Sequence, residues 1–380
     1  MRLVAATVYA LRIPFVESFA HSLKERRSSD SVVVRVRDEM GTEGFGEGVP
    51  RPYVTGETAD IMVEHLARDL WPAVADRALP EVMDATTLGV LEALIPFQAI
   101  AGAIADNASR AALKLAMLDC TLRRQKRSLA DVLPPRRRKV VYSGVITAGS
   151  LDKTLQHARQ MKLVGFKQIK LKVGTGDDVA RVQAVREVMG PEVSLRLDAN
   201  GAWSLNEATQ VLNAVAAFNI AAVEEPLPRD SLADLKELKR ACQVPIMVDE
   251  SLVTHADAEA LVAARAVDYF NVRVSKCGGL GGSAEIARLA AQAGIGVQVG
   301  SQVGETSILA AAGRGLAAWL LEVAFVEGSF GTLLLVEDVT AESVRFGHRG
   351  EAPILTGPGL GVQALDDRLR KYAQKVVELA

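Results

Sequence analysis

The sequence predicts an α/β protein whose larger part is a barrel of parallel strands surrounded by helices. Three observations carry this prediction. Short β-rich runs alternate with helical stretches between residues 139 and 335, as in successive βαβ units. Eight such runs fall within about 190 residues, and a (β/α) barrel usually needs ~200–250. Polar residues recur at the ends of successive runs, at the rim where barrel enzymes place their catalytic groups.

The eight predicted strands are short and rich in β-branched residues. They are Val140–Ile146, Gln168–Val173, Ser194–Asp198, Ala221–Glu224, Pro245–Asp249, Tyr269–Val274, Gly296–Val299 and Glu322–Val326. Between the second and third strands, Asp178 to Met189 predicts an amphipathic helix with acidic residues at its start.

The chain before the barrel predicts strands followed by helices. Val32 to Val36 is a β-branched run, whereas Glu39 to Gly48 is polar and glycine-rich and predicts a turn region. Helical spacing appears from Thr58 to Leu70 and again from about Ala108 to Arg124. Two prolines at 134–135 then mark a boundary. At the other end, the turn-rich segment 357–361 precedes a predicted terminal helix.

Composition excludes several classes of protein. Lys plus Arg number 44 and Asp plus Glu 46, so there is no basic excess to bind nucleic acid. The basic cluster from Arg136 to Lys139 is interpreted as a solvated linker. Three distant cysteines predict neither disulfides nor a zinc cluster and favour a reducing, cytoplasmic location. The start of the chain is interpreted as a strand rather than a signal peptide, and no apolar run approaches the ~20 residues of a membrane helix.

Acidic residues end three consecutive predicted strands: Asp198, Glu224 and Asp249. Successive steps of 26 (172 to 198), 26 (198 to 224) and 25 (224 to 249) residues match one βα unit, so these positions converge at one rim. Three carboxylates in one mouth repel each other unless a cation neutralises them. An all-oxygen site with room for water and substrate suits Mg²⁺, with Mn²⁺ as a substitute. The alternative is that each acid caps the helix that follows it.

Lys170 and Lys172 lie two residues apart on the second predicted strand, so both side chains face the same side. Inside the barrel mouth, repulsion between the two ammonium groups is expected to lower the pKa of each. A neutral lysine is then available as a general base. The alternative is a solvated lysine pair on an exposed strand.

The ordered set of strand-end motifs resembles the enolase superfamily, specifically its muconate lactonizing enzyme subgroup. The motifs are Lys170-x-Lys172, Asp198-x-Asn200, Glu224-Glu225-Pro226, Asp249-Glu250-Ser251 and the segment Asn271 to Gly279. The resemblance covers nearly the whole chain. It implies a (β/α)₇β modified TIM barrel with an α+β N-terminal capping domain that the C-terminal segment completes. The expected divisions are capping domain 1–135, catalytic barrel 139–335 and returning segment 336–380.

The resemblance also implies roles for individual residues. Asp198, Glu224 and Asp249 would bind Mg²⁺, Lys172 would be the acid/base and Lys170 the neighbour that tunes it. Asn200 and Glu250 would orient these groups. The implied reaction removes a proton next to the carboxylate of a small molecule and stabilises the resulting enediolate on the metal, a pattern already known for this superfamily. No histidine lies between Gly296 and Glu305, which disfavours the mandelate racemase subgroup.

One position departs from the subgroup's pattern. Arg273 stands where typical members carry a second catalytic lysine on the sixth strand. Arginine keeps its proton at ordinary pH and is a poor base. The nearby Lys276 has the opposite parity on a strand. In the favoured interpretation Arg273 is a fixed cation and Lys172 performs all proton transfer. In the other, an unusual environment lowers the pKa of Arg273 enough for it to exchange protons.

The favoured interpretation predicts a muconate-cycloisomerase-like isomerase or a related dehydrating lyase. The alternatives are a racemase or epimerase of N-acyl amino acids or dipeptides and, in a different class, a non-catalytic homologue that binds metal and ligand. Family members are often homo-oligomers, and the same is expected here. The residues expected to contact substrate are Glu305, Glu327, His21, Lys24, Arg51 and Tyr53.

Overall fold

A computed structural model describes residues 1–21, 24–100 and 102–380, and its first part is a small sheet packed against helices. The elements, in chain order, are β1 (Leu3–Leu11), β2 (Pro14–His21), β3 (Lys24–Ser28), β4 (Val32–Asp38), β5 (Glu43–Gly48), α1 (Ala59–His65), α2 (Ala85–Ala93), α3 (Asn107–Arg124) and α4 (Leu129–Val132). A π-helical turn over Leu66–Leu70 extends α1, which agrees with the helix predicted over 58–70.

The prediction of a turn region over residues 39–48 is wrong in its second half, because residues 43–48 form strand β5. The glycines alternate along this strand and face α3. A Cβ at Gly44 would overlap the backbone of Cys120, one at Gly46 the backbone of Ala112 and Ala116, and one at Gly48 that of Ala108. Glycine is therefore required by the close approach of helix and strand. A sequence pattern alone does not show that contact.

We expect Gly46→Ala to destabilise the protein by about 3 kcal/mol or more, because its methyl group cannot fit without moving the whole of α3. Chemical denaturation measures the effect. Gly89→Ala is the matched control, since the Cβ at this helical position meets nothing within 4 Å and alanine favours a helix. A loss below about 1 kcal/mol for Gly46→Ala, similar to the control, would contradict this packing argument.

The barrel follows as regularly alternating strands and helices. They are β6 (Lys139–Val141), β7 (Gly144–Ile146), α5 (Leu151–Val164), β8 (Gln168–Lys172), α6 (Asp178–Met189), β9 (Ser194–Asp198), α7 (Leu205–Val215), β10 (Ile220–Glu224), α8 (Leu232–Ala241), β11 (Ile246–Val248), α9 (His255–Ala264), β12 (Tyr269–Val272), α10 (Leu280–Gln292), β13 (Gly296–Val299), α11 (Ser307–Trp319) and β14 (Phe325–Val326).

Strands β7 to β14 form one eight-stranded parallel sheet in sequence order. The N–H of Ser143, just before β7, donates to the carbonyl oxygen of Val326 in β14 at 2.8 Å, which brings the last strand to the first. Seven helices, α5 to α11, separate the eight strands. The fold is therefore an α/β modified TIM barrel of (β/α)₇β type with an additional N-terminal β-rich unit, as the sequence predicts.

The last part of the chain returns to the N-terminal sheet. It contains β15 (Glu351–Pro353), α12 (Asp366–Tyr372) and β16 (Ala373–Leu379). The predicted terminal helix is thus short, and the final residues form a strand. This strand pairs antiparallel with β1, in a sheet of order β16-β1-β4-β5. The difference follows from this tertiary pairing, in which the backbone of β16 bonds to β1 and extends the N-terminal sheet by one strand.

Several contacts fix the N-terminal unit over the barrel. Glu47 on β5 accepts hydrogen bonds from the N–H (2.9 Å) and hydroxyl (2.7 Å) of Thr306, at the start of α11. Asn107 at the start of α3 donates to the carbonyl oxygens of Val253 (2.8 Å) and Lys276 (2.6 Å). These bonds place β2 and the loop around Arg51 above the carboxyl ends of the barrel strands.

The basic cluster after the double proline is not a solvated linker throughout. Arg137 donates to the carbonyl oxygens of Ala317, Leu320 and Leu321, and Arg136 donates to that of Trp319. Both arginines therefore satisfy the free carbonyl groups at the C-terminal end of α11. In the described part of the chain, no helix combines the length and apolar character needed to cross a membrane.

Candidate active site

The barrel brings the polar strand ends together at one rim. Lys172 ends β8 and lies in register with Asp198 at the end of β9, which in turn is in register with Glu224 at the end of β10. Asp249 and Arg273 are the residues that follow β11 and β12. The convergence that the 25- and 26-residue steps predict is therefore present.

Lys172 is held by two acceptors at the end of its strand. Its Nζ donates to Asp198 Oδ2 and to Asn200 Oδ1, both at 2.7 Å. Asn200 donates its Nδ2 to Glu250 Oε1 at 3.1 Å. Asn200 and Glu250 thus lie where the sequence predicts orienting groups, and together they fix the direction of the Lys172 amine.

The expectation that the pKa of Lys170 is lowered is wrong. Burial alone would lower this pKa, but the carboxylates of Glu224, Glu327 and Asp198 outweigh burial and raise it. Lys170 Nζ lies 2.6 Å from Glu327 Oε2, 3.0 Å from Asp198 Oδ2 and 3.4 Å from Glu224 Oε2. Lys170 is therefore a fixed cation in this structure. The expected decrease in the pKa of Lys170 considered only repulsion from Lys172, whereas the surrounding carboxylates have the larger effect.

The three strand-end carboxylates differ in their protonation equilibria. Burial raises the pKa of Asp198, but Lys172 and Lys170 outweigh burial and lower it overall. Burial and the charge of Asp198 raise the pKa of Glu224 to about 7. Glu224 accepts hydrogen bonds from Asn271 Nδ2 (2.8 Å) and Gln298 Nε2 (3.2 Å), which fix its orientation. Burial, Asp249 and other nearby acids raise the pKa of Glu250 well above its usual range.

Arg273 is paired with the third carboxylate, Asp249. Its Nη2 contacts Asp249 Oδ2 and lies 3.6 Å from Glu224 Oε1. Burial acts to lower the pKa of Arg273, but Asp249 and Glu224 outweigh burial and raise it. These contacts favour the protonated form of Arg273, in agreement with the interpretation of this residue as a fixed cation. Lys276 is fully buried and donates to Asp249 Oδ1 (2.9 Å) and to two carbonyl oxygens, so it too is occupied.

A cavity of about 510 Å³ opens above this rim, a size that suits a small organic ligand. Lys170, Lys172, Asn200, Glu250 and Arg273 line its inner end. Its outer part, between α5 and the segment after β14, is largely apolar. The apolar residues that line this part are Val16, Met161, Val164, Phe166, Phe330, Leu333, Leu334 and Phe346.

Four of the six expected substrate contacts line the cavity: Arg51, Tyr53, Glu305 and Glu327. Arg51 is fully buried and donates to Asp30 Oδ1 at 2.7 Å and to the carbonyl of Val303, so it ties the N-terminal unit to the barrel. Glu327 is bound by Lys170 and is equally occupied. The side chains of His21 and Lys24 lie outside the described residues.

Two functional neighbours were missed from the sequence. Arg196 is fully buried in β9, donates to Glu327 Oε1 at 2.8 Å, and lies with its Cζ 4.1 Å from the centre of the Phe325 ring. Gln298 on β13 is the second. Arg196 precedes Asp198 by two residues, so the period-two argument used for the lysine pair would have predicted its inward direction. No sequence motif of this kind predicts that Gln298 faces the barrel interior.

The parallel barrel and its rim of acids and lysines define the class of protein, a barrel enzyme with its active site at the carboxyl ends of the strands. Residues 153–368 match the family model described as enolase C-terminal domain-like. The chain belongs to the enolase superfamily, in the group that contains the muconate lactonizing enzymes.

Relatives of known activity extend over nearly the whole chain. The hydrophobic dipeptide epimerase of Enterococcus faecalis is 31% identical over 374 residues, covering 95% of this chain and 99% of that protein. Muconate cycloisomerase 1-2 of Acinetobacter lwoffii is 30% identical, with 96% and 94% covered. The dipeptide epimerase from Cytophaga hutchinsonii, determined with Mg and the dipeptide D-Ala-L-Val, superposes with a TM-score of 0.87 at 27% identity and covers 100% of both chains.

These relatives are isomerases, and the chain is an enzyme of their superfamily. The sequence-based alternative of a non-catalytic homologue is set aside accordingly.

Proposed function

We propose that this protein is an isomerase that moves the proton on the carbon next to a carboxylate in a small molecule, with Lys172 as the base and a divalent cation as cofactor. The observation that carries this proposal is the position of the Lys172 amine. It is buried, faces the cavity, and is oriented by Asp198 and Asn200 at 2.7 Å. A base fixed in this way beside a carboxylate cluster suits proton removal from a bound acid.

The residues that would hold the cation are Asp198, Glu224 and Asp249, and their chemistry fits Mg²⁺, with Mn²⁺ as a substitute. All three donate oxygen only, and all are at most 1% exposed. Burial, followed by the charge of Asp198, raises the pKa of Glu224, and a bound cation would favour its ionised form. Among the described residues, no three or more Asp, Glu, His or Cys side chains are close enough together to hold a metal ion. Lys172 and Lys170 contact Asp198, and Arg273 contacts Asp249. The cation would supply positive charge beside the substrate carboxylate as its α-proton leaves.

The remaining charged groups have fixed roles in this proposal. Lys172 removes the proton in its neutral form and returns it as an ammonium. Lys170 and Arg273 stay protonated, and their positive charges stabilise negative charge on the substrate. Asn200 and Glu250 keep the Lys172 amine pointed into the cavity.

The reaction type depends on how many side chains of the enzyme can transfer the α-proton of the substrate. A single lysine suffices for the cycloisomerisation or dehydration that the sequence favours. Epimerisation or racemisation needs a proton-transfer group on each face of the carbon. The second candidate is supported by the names of several relatives, including the N-succinyl-L-Arg/Lys racemase of Bacillus cereus, 28% identical over 384 residues.

Deuterium incorporation tests the proposal. The Mg²⁺-loaded protein is incubated in D₂O with N-succinyl amino acids, dipeptides, muconate and sugar acids, and mass spectrometry reports the label. We expect at least one class of carboxylate to gain deuterium. If the protein labels none of these probes and converts none of them, the proposed function is wrong.

Replacing Arg273 distinguishes a fixed cation from a base. We expect Arg273→Met to raise KM by about 10–100-fold, because a charged hydrogen-bond donor contributes about 1.5–3 kcal/mol. Arg273→Lys, which keeps the charge, should recover part of this loss. Steady-state kinetics on a labelled probe provide the measurement. An unchanged KM with a lost kcat in Arg273→Met would instead indicate that Arg273 takes part in proton transfer.

A further inference from the structure

We propose that Glu305 is a second acid/base that works on the face of the substrate opposite Lys172, so that the enzyme inverts configuration at the carbon next to the carboxylate. This inference rests on the proposed function. It goes beyond it by assigning the second proton-transfer group and, with it, the reaction type.

The barrel places Glu305 across the cavity from Lys172. Lys172 ends β8, the second barrel strand, and Glu305 follows β13, the seventh. In a ring of eight strands these positions are three strands apart by the shorter path, nearly opposite one another. Both side chains line the same cavity, so a substrate bound between them presents one face to each.

Glu305 lines the cavity, and one of its two oxygens is held by a backbone hydrogen bond. Glu305 Oε2 accepts a hydrogen bond from the N–H of Gln302 at 2.9 Å. The side chain of Gln302 accepts one from Arg273 Nη1 at 3.4 Å, so Glu305 lies beside the arginine. Oε1 lies beside Gly328, another residue of the cavity lining, where a Cβ would come within 3.1 Å of this oxygen. No ion pair to Glu305 is present among the described residues.

In this proposal the second proton-transfer group is Glu305 and not Arg273. The guanidinium of Arg273 is bound to Asp249 and keeps its proton. Burial, with a smaller contribution from Glu47, raises the pKa of Glu305 to about 8 against the opposing effects of the Gln302 N–H, Arg273 and Arg51. A carboxyl group with a pKa near the working pH can both donate and accept a proton.

The proton balance is simple. The neutral Lys172 amine takes the α-proton, so a C–H bond breaks and an N–H bond forms. The Glu305 carboxyl gives its proton to the opposite face, so its O–H bond breaks and a new C–H bond forms. The reverse reaction begins with the Glu305 carboxylate and the Lys172 ammonium. No oxidant or further reactant is needed.

The test compares both configurations of N-succinyl amino acids and dipeptides in D₂O, using the Mg²⁺-loaded protein and chiral separation. We expect wild type to label and invert both configurations. Glu305→Gln should lose inversion by roughly 10²–10⁴-fold while still labelling the configuration whose α-proton faces Lys172. Glu305→Asp keeps the acid and should restore part of the inversion. Glu322→Gln, an exposed acid outside the cavity, is the control and should invert normally.

Several outcomes would overturn the inference and leave the proposed function intact. One is inversion by Glu305→Gln at the wild-type rate, with the circular dichroism spectrum unchanged. Another is labelling by wild type without any inversion. Absence of labelling by wild type in every probe would instead overturn the proposed function, and this inference with it.

Discussion

Lys172→Ala is expected to reduce turnover by roughly 10²–10⁴-fold, because it removes the group that takes the α-proton. The buried amine interacts with Asp198 and Asn200 and faces the cavity, and no other described lysine has this position: Lys170 is bound by three carboxylates and Lys276 by Asp249. Steady-state kinetics on any probe that wild type converts provide the measurement.

The matched control is Lys167→Ala. Lys167 is exposed, just before the same strand, and its removal should leave kcat unchanged. Lys172→Ala should keep a wild-type circular dichroism spectrum and still bind Mn²⁺, which separates loss of the base from loss of the fold. Turnover by Lys172→Ala within about 3-fold of wild type would show that another group removes the proton.

Glu224→Gln is expected to weaken Mg²⁺ binding by about 100-fold or more. Losing a residue that only orients a metal ligand costs 10–100-fold, so losing a direct carboxylate ligand should cost at least as much. Isothermal titration calorimetry measures this without reference to activity. Activity at low Mg²⁺ should fall in parallel, and Glu322→Gln, an exposed acid before β14, should change neither.

The same variant has a second expected effect. The pKa of Glu224 is raised in the folded protein, so its ionised form destabilises the fold as the pH rises through about 7. In metal-free protein Glu224→Gln should therefore be at least as stable as wild type at pH 8. Unchanged Mg²⁺ affinity in this variant would contradict the assignment of Glu224 as a ligand.

The sequence predicts the barrel and its rim because their signals are local. Strand runs, the 25- and 26-residue steps and the two-residue period of Lys170 and Lys172 can all be read along the chain, and Asp198 and Glu224 lie in register as expected. The departure at Arg273 could likewise be identified by its place in a motif. These features need no knowledge of which residues meet across the fold.

What the sequence could not predict depends on contacts between distant segments. The direction of the pKa shift of Lys170 follows from Glu224, Glu327 and Asp198, of which Glu327 lies 157 residues away along the chain. Glycines 44, 46 and 48 indicate a turn until α3 is placed against them. The position of Glu305 opposite Lys172 requires the closed ring of strands. Each of these features depends on partners that lie far away in the sequence.

The central claim is that Lys172 removes a proton from the carbon next to a carboxylate. The most direct measurement is proton NMR in D₂O of a converted probe, following the α-proton signal and the product together in wild type and Lys172→Ala. We expect wild type to place deuterium at the α-carbon and nowhere else, and Lys172→Ala to form product far more slowly. Turnover by wild type with the α-proton fully retained would contradict this claim.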